Sequence, residues 1–302
     1  MRHTHVVQRI VIGAILAALC ALPTTAYAQT WQSAVERSAR ATPEARVVVL
    51  DIATGKLLAA NRLGDAARTQ AAPGSTLKPL VLYQLLAAER WSPERRIACD
   101  RRLAIAGHRL ACTHPLRPPF DAHEALTWSC NSYFAALART LKPRELGALL
   151  RPSGLLSTTG LAPKEATAEF REPASDGQEE LAVLGVEGIR ITPLELASAY
   201  RWLAREITAH AHSSASQTVR EGLEDSASFG MAGQASLGGV PIAGKTGTAE
   251  SEQSSRTHGW FVGFVPVESP QVVIAVFVPA SRGADAAHLA GELIAASPLR
   301  KP

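Results

Sequence analysis

Asparagine is almost absent from this 302-residue chain, which has only Asn61 and Asn131, and lysine supplies just six of its 31 basic side chains. Guanidinium holds its proton permanently, whereas an ammonium can be tuned to release it. A chain this poor in lysine therefore draws attention to the lysines it keeps. Long apolar runs are missing as well. The stretch Ile10–Leu22 is thirteen residues, short of the roughly 20 that a spanning helix needs. Neither C-x-x-C nor H-x-x-x-H occurs among the four cysteines and nine histidines, so no metal ligands are assigned. No basic run is present to suggest nucleic acid.

The beginning of the chain reads as an export signal over residues 1–28. Arg2 and Arg9 charge its start, Ile10–Leu22 is apolar, and Ala26-Tyr27-Ala28 offers a small-x-small cleavage site. Cleavage is favoured over retention as an anchor, which places the protein in the periplasm or cell envelope. Without Arg2 and Arg9 the formal charge falls from +4 to +2. Residues 29–302 suffice for one large domain. Of the remaining cysteines, Cys99 and Cys112 are spaced so that an oxidising compartment could join them, with free thiols as the other reading, and Cys130 lies inside a motif described next. His108, His114 and His123 are read as surface or core residues rather than ligands.

Valine-rich 45–51 and the stretch 57–60, separated by Ala53-Thr54-Gly55, predict a hairpin, and 240–248, 259–267 and 271–279 predict three further strands. Most of residues 75–205 reads as helical, including Leu77–Arg90 and a helix from Pro193 to about Arg205 that opens on the capping box Thr192-Pro-Leu-Glu195. Gly283–Ser297 predicts a terminal helix. Residues 207–217, rich in Ala and Ser, receive no assignment. Strands at both ends around a helical middle predict an α+β fold, a five-stranded antiparallel sheet packed with helices.

Three short motifs carry chemistry. Ser75 and Lys78 in Pro73-Gly-Ser-Thr-Leu-Lys78 stand one turn apart at a helix start, where a desolvated amine can activate a hydroxyl. Ser129-Cys130-Asn131 holds one of the two asparagines. Lys245-Thr246-Gly247-Thr248 lies in an expected strand, where glycine admits a close approach and the cation and hydroxyls suit a carboxylate. Each alone has a plain structural reading: a surface pair, a helix cap or a hairpin edge. In this order and context, S-x-x-K, S-x-N and K-T-G form the signature of penicillin-recognising acyl-serine enzymes.

Longer blocks sharpen the likeness. Ala72–Pro79, Ser129–Phe134, Ile191–Ala197, Ala243–Ala249 and Trp260–Gly263 resemble the transpeptidase domain of penicillin-binding proteins, the high-molecular-weight members in particular. The resemblance implies that Ser75 attacks a D-Ala-D-Ala stem peptide, that Lys78 is its base and that Ser129 relays a proton. It further implies that Asn131, Lys245, Thr246, Gly247 and Thr248 bind substrate, with the Ser75 and Thr248 N–H groups as oxyanion hole and no cofactor. β-Lactams would acylate the same serine. Larger members carry a further domain before the catalytic one, whereas residues 29–74 leave little room for it; a partner such as a glycosyltransferase or other cell-wall protein, or a carboxypeptidase role, is then expected. The rivals are a serine β-lactamase and a non-catalytic penicillin sensor or scaffold. No asparagine follows Asn131 to position a deacylating water, which disfavours the first. Trp128 and Trp260 flank the motifs and are read as core.

Overall fold

The computed structural model describes residues 26–115, 119–142, 144–250 and 256–299, so all but the last residues of the expected signal lie outside the described residues. Helix α1 (26–38) leads into the hairpin β1 (Arg46–Asp51) and β2 (Leu57–Asn61) and a single turn, α2 (Leu63–Ala66). A 3₁₀ turn, Gly74–Leu77, runs directly into α3 (Lys78–Ala87). The middle of the chain holds the hairpin β3 (Arg102–Ile105) and β4 (His108–Ala111), then α4 (Ala122–Thr127), α5 (Asn131–Ala138) and α6 (Glu145–Leu150). Next come the short strand β5 (Glu169–Phe170), α7 (Asp176–Val183), β6 (Ile189–Arg190), α8 (Pro193–Ala209) and α9 (Ser214–Ser228). Strands β7 (Ala243–Glu250), β8 (Thr257–Val265) and β9 (Val272–Val278) and helix α10 (Gly283–Ala296) complete it.

The main sheet has five strands in the order β2-β1-β9-β8-β7, all antiparallel, as expected. Strand β9 shows why it lies at the centre. Its sequence VVIAVFV is buried at every position, and alternate side chains serve two different cores. Val272, Ile274, Val276 and Val278 join Trp31 and Val35 of α1 and Leu289, Leu293 and Ile294 of α10. Val273, Ala275 and Phe277 face the other way, with Leu196, Tyr200 and Leu203 of α8. The sheet is therefore sandwiched between a terminal helix layer and the helical middle.

Helix α8 forms as its capping box dictates: Thr192 Oγ1 accepts from the Glu195 N–H at 3.1 Å and Glu195 Oε2 accepts from the Thr192 N–H at 2.8 Å. The structure departs from the sequence reading in two places. Residues 102–111 form a hairpin, closed by Ala106-Gly107 with φ of 44° and 88°, the paired left-handed geometry of a two-residue turn. The unassigned stretch also contains the start of α9, whose buried face is built from Ala215, Val219, Gly222 and Leu223. A Cβ on Gly222 would lie 3.0 Å from Leu126 Cβ, so small side chains let α9 press onto α4, while the serines and charged residues of its other faces keep the segment polar overall.

Candidate active site

The turn carrying Ser75 is suspended by hydrogen bonds from several distant elements. Trp260 Nε1–H donates to the Ala72 carbonyl at 2.9 Å, Tyr200 O–H to the Thr76 carbonyl at 2.8 Å, and the Gly74 N–H to the Gly185 carbonyl at 2.9 Å. Ala71 and Ile191 add an antiparallel bridge. This explains the Ile191–Ala197 and Trp260–Gly263 blocks: each fixes one side of the serine turn. Trp260 is fully buried, as expected of a core residue. Glycine is required here. Gly74 and Gly185 have φ of 54° and 69°, and a Cβ on Gly185 would fall 2.2 Å from the Gly74 oxygen.

Lys78 is fully buried beneath this turn. Its ammonium donates to Asn131 Oδ1 at 2.7 Å, to the Ser129 carbonyl at 3.0 Å and to Ser129 Oγ at 3.4 Å, and lies 5.1 Å from the centre of the Phe134 ring. The first two motifs thus meet through one amine. Burial pulls its pKa down to about 8, opposed by the nearby sulfurs of Cys112, Cys130 and Cys99. Ser129 has a φ of 56°, a left-handed conformation that a non-glycine residue keeps only where its surroundings enforce it. Asn131 is held at three points, since its Nδ2 donates to the Ala111 carbonyl at 3.1 Å and its backbone N–H to Cys112 Sγ at 3.2 Å.

Strand β7 is the outer edge of the sheet and passes directly over the serine turn. A Cβ on Gly247 would meet the Pro73 oxygen at 2.4 Å, and one on Gly74 the Thr248 oxygen at 2.9 Å. Lys245 is fully buried, its Nζ donating to the Thr246 carbonyl at 3.2 Å; burial first and the Lys78 charge second hold its pKa well below the lysine range. The Lys78 shift itself comes from burial, not from Lys245. Thr246 Oγ1 donates to the Met231 carbonyl at 3.3 Å, and Thr248 Oγ1 accepts from the Gly283 N–H at 3.0 Å.

A groove of about 620 Å³ opens beside these elements, and Ser75, Asn131 and Thr248 line it. Lys78, Ser129, Lys245 and Thr246 do not line it. Among the described residues no hydrogen bond to Ser75 Oγ is found, and Lys78 is turned to Asn131 and Ser129 instead. The groove also gathers residues that sequence reasoning missed: Arg46, Arg190, His258 and the pair His108–Glu187, with Nε2 and Oε2 3.0 Å apart. Burial, followed by the charges of Arg46 and Arg190, lowers the His258 pKa. No local pattern marks these residues; the topology alone collects them.

The model of the penicillin-binding protein transpeptidase domain matches residues 45–297. The chain belongs to that family. Penicillin-binding protein relatives include peptidoglycan D,D-transpeptidase PbpA of Mycobacterium tuberculosis, 25% identical over 74% of this chain and 52% of the relative. PbpA of Mycolicibacterium smegmatis is 25% identical over 59% and 42% of the two chains. The chain thus spans about half the length of these relatives. Among solved structures, the apo transpeptidase domain of Burkholderia pseudomallei penicillin-binding protein 3 superposes with a TM-score of 0.76 at 21% identity, covering 89% of this chain and 92% of that one. Helicobacter pylori PBP2 in complex with MreC gives the same TM-score at 18% identity, over 86% and 61%. The α+β fold is therefore that of penicillin-binding protein transpeptidase domains.

The structure bears on two readings made from the cysteines. Of the two possibilities left open for Cys99 and Cys112, it shows the free thiols. The expectation of no metal ligands is revised, because the fold brings the ligand atoms of Cys99, Cys112, His114 and Cys130 within 4.8 Å of one another. Their spacing hid this, since the hairpin β3–β4 doubles the chain back and brings Cys112 and His114 to Cys99, while Cys130 arrives from the second motif.

Proposed function

We propose that the protein is an acyl-serine D,D-transpeptidase acting on the D-Ala-D-Ala end of peptidoglycan stem peptides, with D,D-carboxypeptidase activity on the same acyl-enzyme when water replaces the amine acceptor. The observation that carries this is the buried Lys78 amine bonded at once to Asn131 and Ser129 beneath a groove-lining Ser75. Ser75 attacks the penultimate carbonyl, its proton passing to neutral Lys78. The Ser129 hydroxyl returns a proton to the departing D-alanine amine. The acceptor amine then attacks the ester and releases Ser75. The Ser75 and Thr248 N–H groups receive the developing oxyanion, commonly the largest catalytic contribution. Asn131 orients the amine, and Thr248 on the free sheet edge holds the extended peptide. Lys245 and Thr246 brace the strand from beneath, through the Thr246 and Met231 carbonyls, while Gly247 allows the strand to lie against Pro73.

The same serine is the target of β-lactams, and the envelope is the site of action after export and cleavage near Gln29. A cell-wall protein is proposed as a partner that delivers substrate; the H. pylori PBP2 that shares this fold is found in complex with MreC. The deciding experiment exposes the protein to penicillin and follows intact mass over hours. A lasting adduct that Ser75→Ala abolishes, with D-alanine released from a stem peptide, supports the reading. Rapid adduct loss with steady cephalosporin hydrolysis would make it a β-lactamase; an adduct without D-alanine release would make it a sensor.

A further inference from the structure

We propose that Cys99, Cys112, His114 and Cys130 bind a structural zinc ion that locks the β3–β4 hairpin onto the second motif. The four ligand atoms lie within 4.8 Å of one another, with Cys112, His114 and Cys130 buried and Cys99 half-buried. Zinc at ordinary bond lengths sets its ligand atoms roughly 3.5–3.8 Å apart on a tetrahedron. Cys99 Sγ and His114 Nε2 are already 3.4 Å apart.

The histidine is oriented as a ligand requires. His114 Nδ1 lies 2.8 Å from the Pro115 carbonyl, which fixes the N–H on that nitrogen and leaves the Nε2 lone pair facing the sulfurs. Such an outer partner is the usual companion of a metal-bound imidazole. Phe120 packs edge-on to the ring at 4.8 Å, and Arg101 donates to the His114 carbonyl. A disulfide would use two of the sulfurs and leave the third, with the imidazole, unmatched in the core. Three sulfurs and one imidazole with all four positions filled suit zinc in a closed, non-catalytic site. On binding, the three thiols lose their protons to solvent and the imidazole remains neutral.

The consequence is positional. Cys130 lies between Ser129 and Asn131, and Cys112 Sγ already accepts the Asn131 N–H at 3.2 Å. One ion would therefore tie the loop before β3, the end of β4 and the start of α5 into a single rigid corner.

The test uses the full chain purified without chelator. Metal analysis is expected to give about one zinc per chain, and the cobalt-substituted protein to show thiolate-to-metal charge-transfer absorption and tetrahedral ligand-field bands. Cys112→Ser and His114→Ala should each weaken zinc binding by more than the ~10–100-fold typical of losing an outer partner, whereas Ser75→Ala should keep its zinc. Chelation should lower the melting temperature and expose thiols to a thiol reagent. A chain that holds no zinc after zinc addition, cobalt spectra without thiolate absorption, or a Cys99–Cys112 disulfide in peptide maps of exported protein would overturn the proposal. If the variants do not fold, the wild-type cobalt spectrum decides. None of these readouts depends on penicillin labelling.

Discussion

On the proposed mechanism Lys78 is the base, and burial is what suits it to that role. With its pKa near 8, the neutral amine is a minority at pH 7 and predominates above pH 8. The rate of Ser75 labelling by a fluorescent penicillin should accordingly rise with pH and level off above about 8; a flat profile between pH 6 and 9 would exclude Lys78 as the base. The same shift has a stability side. The unfolded chain titrates near 10.5 and the folded one near 8, so the unfolded state binds the proton more tightly. Holding Lys78 then costs stability below about pH 8, and the cost fades as the pH climbs towards 10.5. Its ceiling is about 3 kcal/mol. Lys78→Met should lose acylation yet match or exceed the wild type in urea midpoint at pH 7, with that advantage shrinking by pH 9.5. The meeting of these residues was legible in the sequence, since Lys78 and Asn131 announce themselves by scarcity and Ser75 and Ser129 by their order beside them. The burial of Lys245 was not, because a K-T-G edge does not reveal which way its lysine points.

Among the elements, the serine turn depends on braces that do not line the groove. Tyr200→Phe leaves the buried Thr76 carbonyl without its donor, at an expected cost of about 1–3 kcal/mol in denaturant titration. Gly185→Ala places a methyl group into the Gly74 oxygen at a positive φ and should cost at least as much, with acylation falling further than the stability loss accounts for. The capping box of α8 was readable directly, because its signal is local and its hydrogen bonds are those that the motif specifies. Helix α9 was not. Its packing against α4 relies on Gly222 and alanines, and although Ala215, Val219, Leu223 and Ala227 share one face, the serines and charged residues between them leave the segment polar overall. The β3–β4 hairpin escaped for a related reason, since its turn is Ala106-Gly107 rather than an asparagine-glycine pair and β4 buries little.

At the scale of the whole molecule, the five strands and their antiparallel arrangement followed from short turn-bounded runs at the two ends of the chain, valine-rich in β1 and β9. What the sequence could not supply was the groove, which draws Arg46 from β1, His108 from the hairpin, Arg190 from β6 and His258 from β8. Two cores sharing one sheet should unfold cooperatively, and penicillin acylation at Ser75 should raise the melting temperature of the entire transition, because the tethered acyl group stays attached on unfolding but packs into the groove only in the native state. Separate transitions by fluorescence and circular dichroism would contradict that unity.

Strand β1 pairs with β9 through the contacts Arg46↔Phe277 to Asp51↔Val272, spanning almost the length of the chain. The first strand therefore has no interior neighbour until synthesis is nearly complete. A nascent chain of this topology stays open while it is being made and closes in a late, slow step once its last strand arrives. Truncation within β9 should accordingly yield insoluble product rather than a shorter working domain.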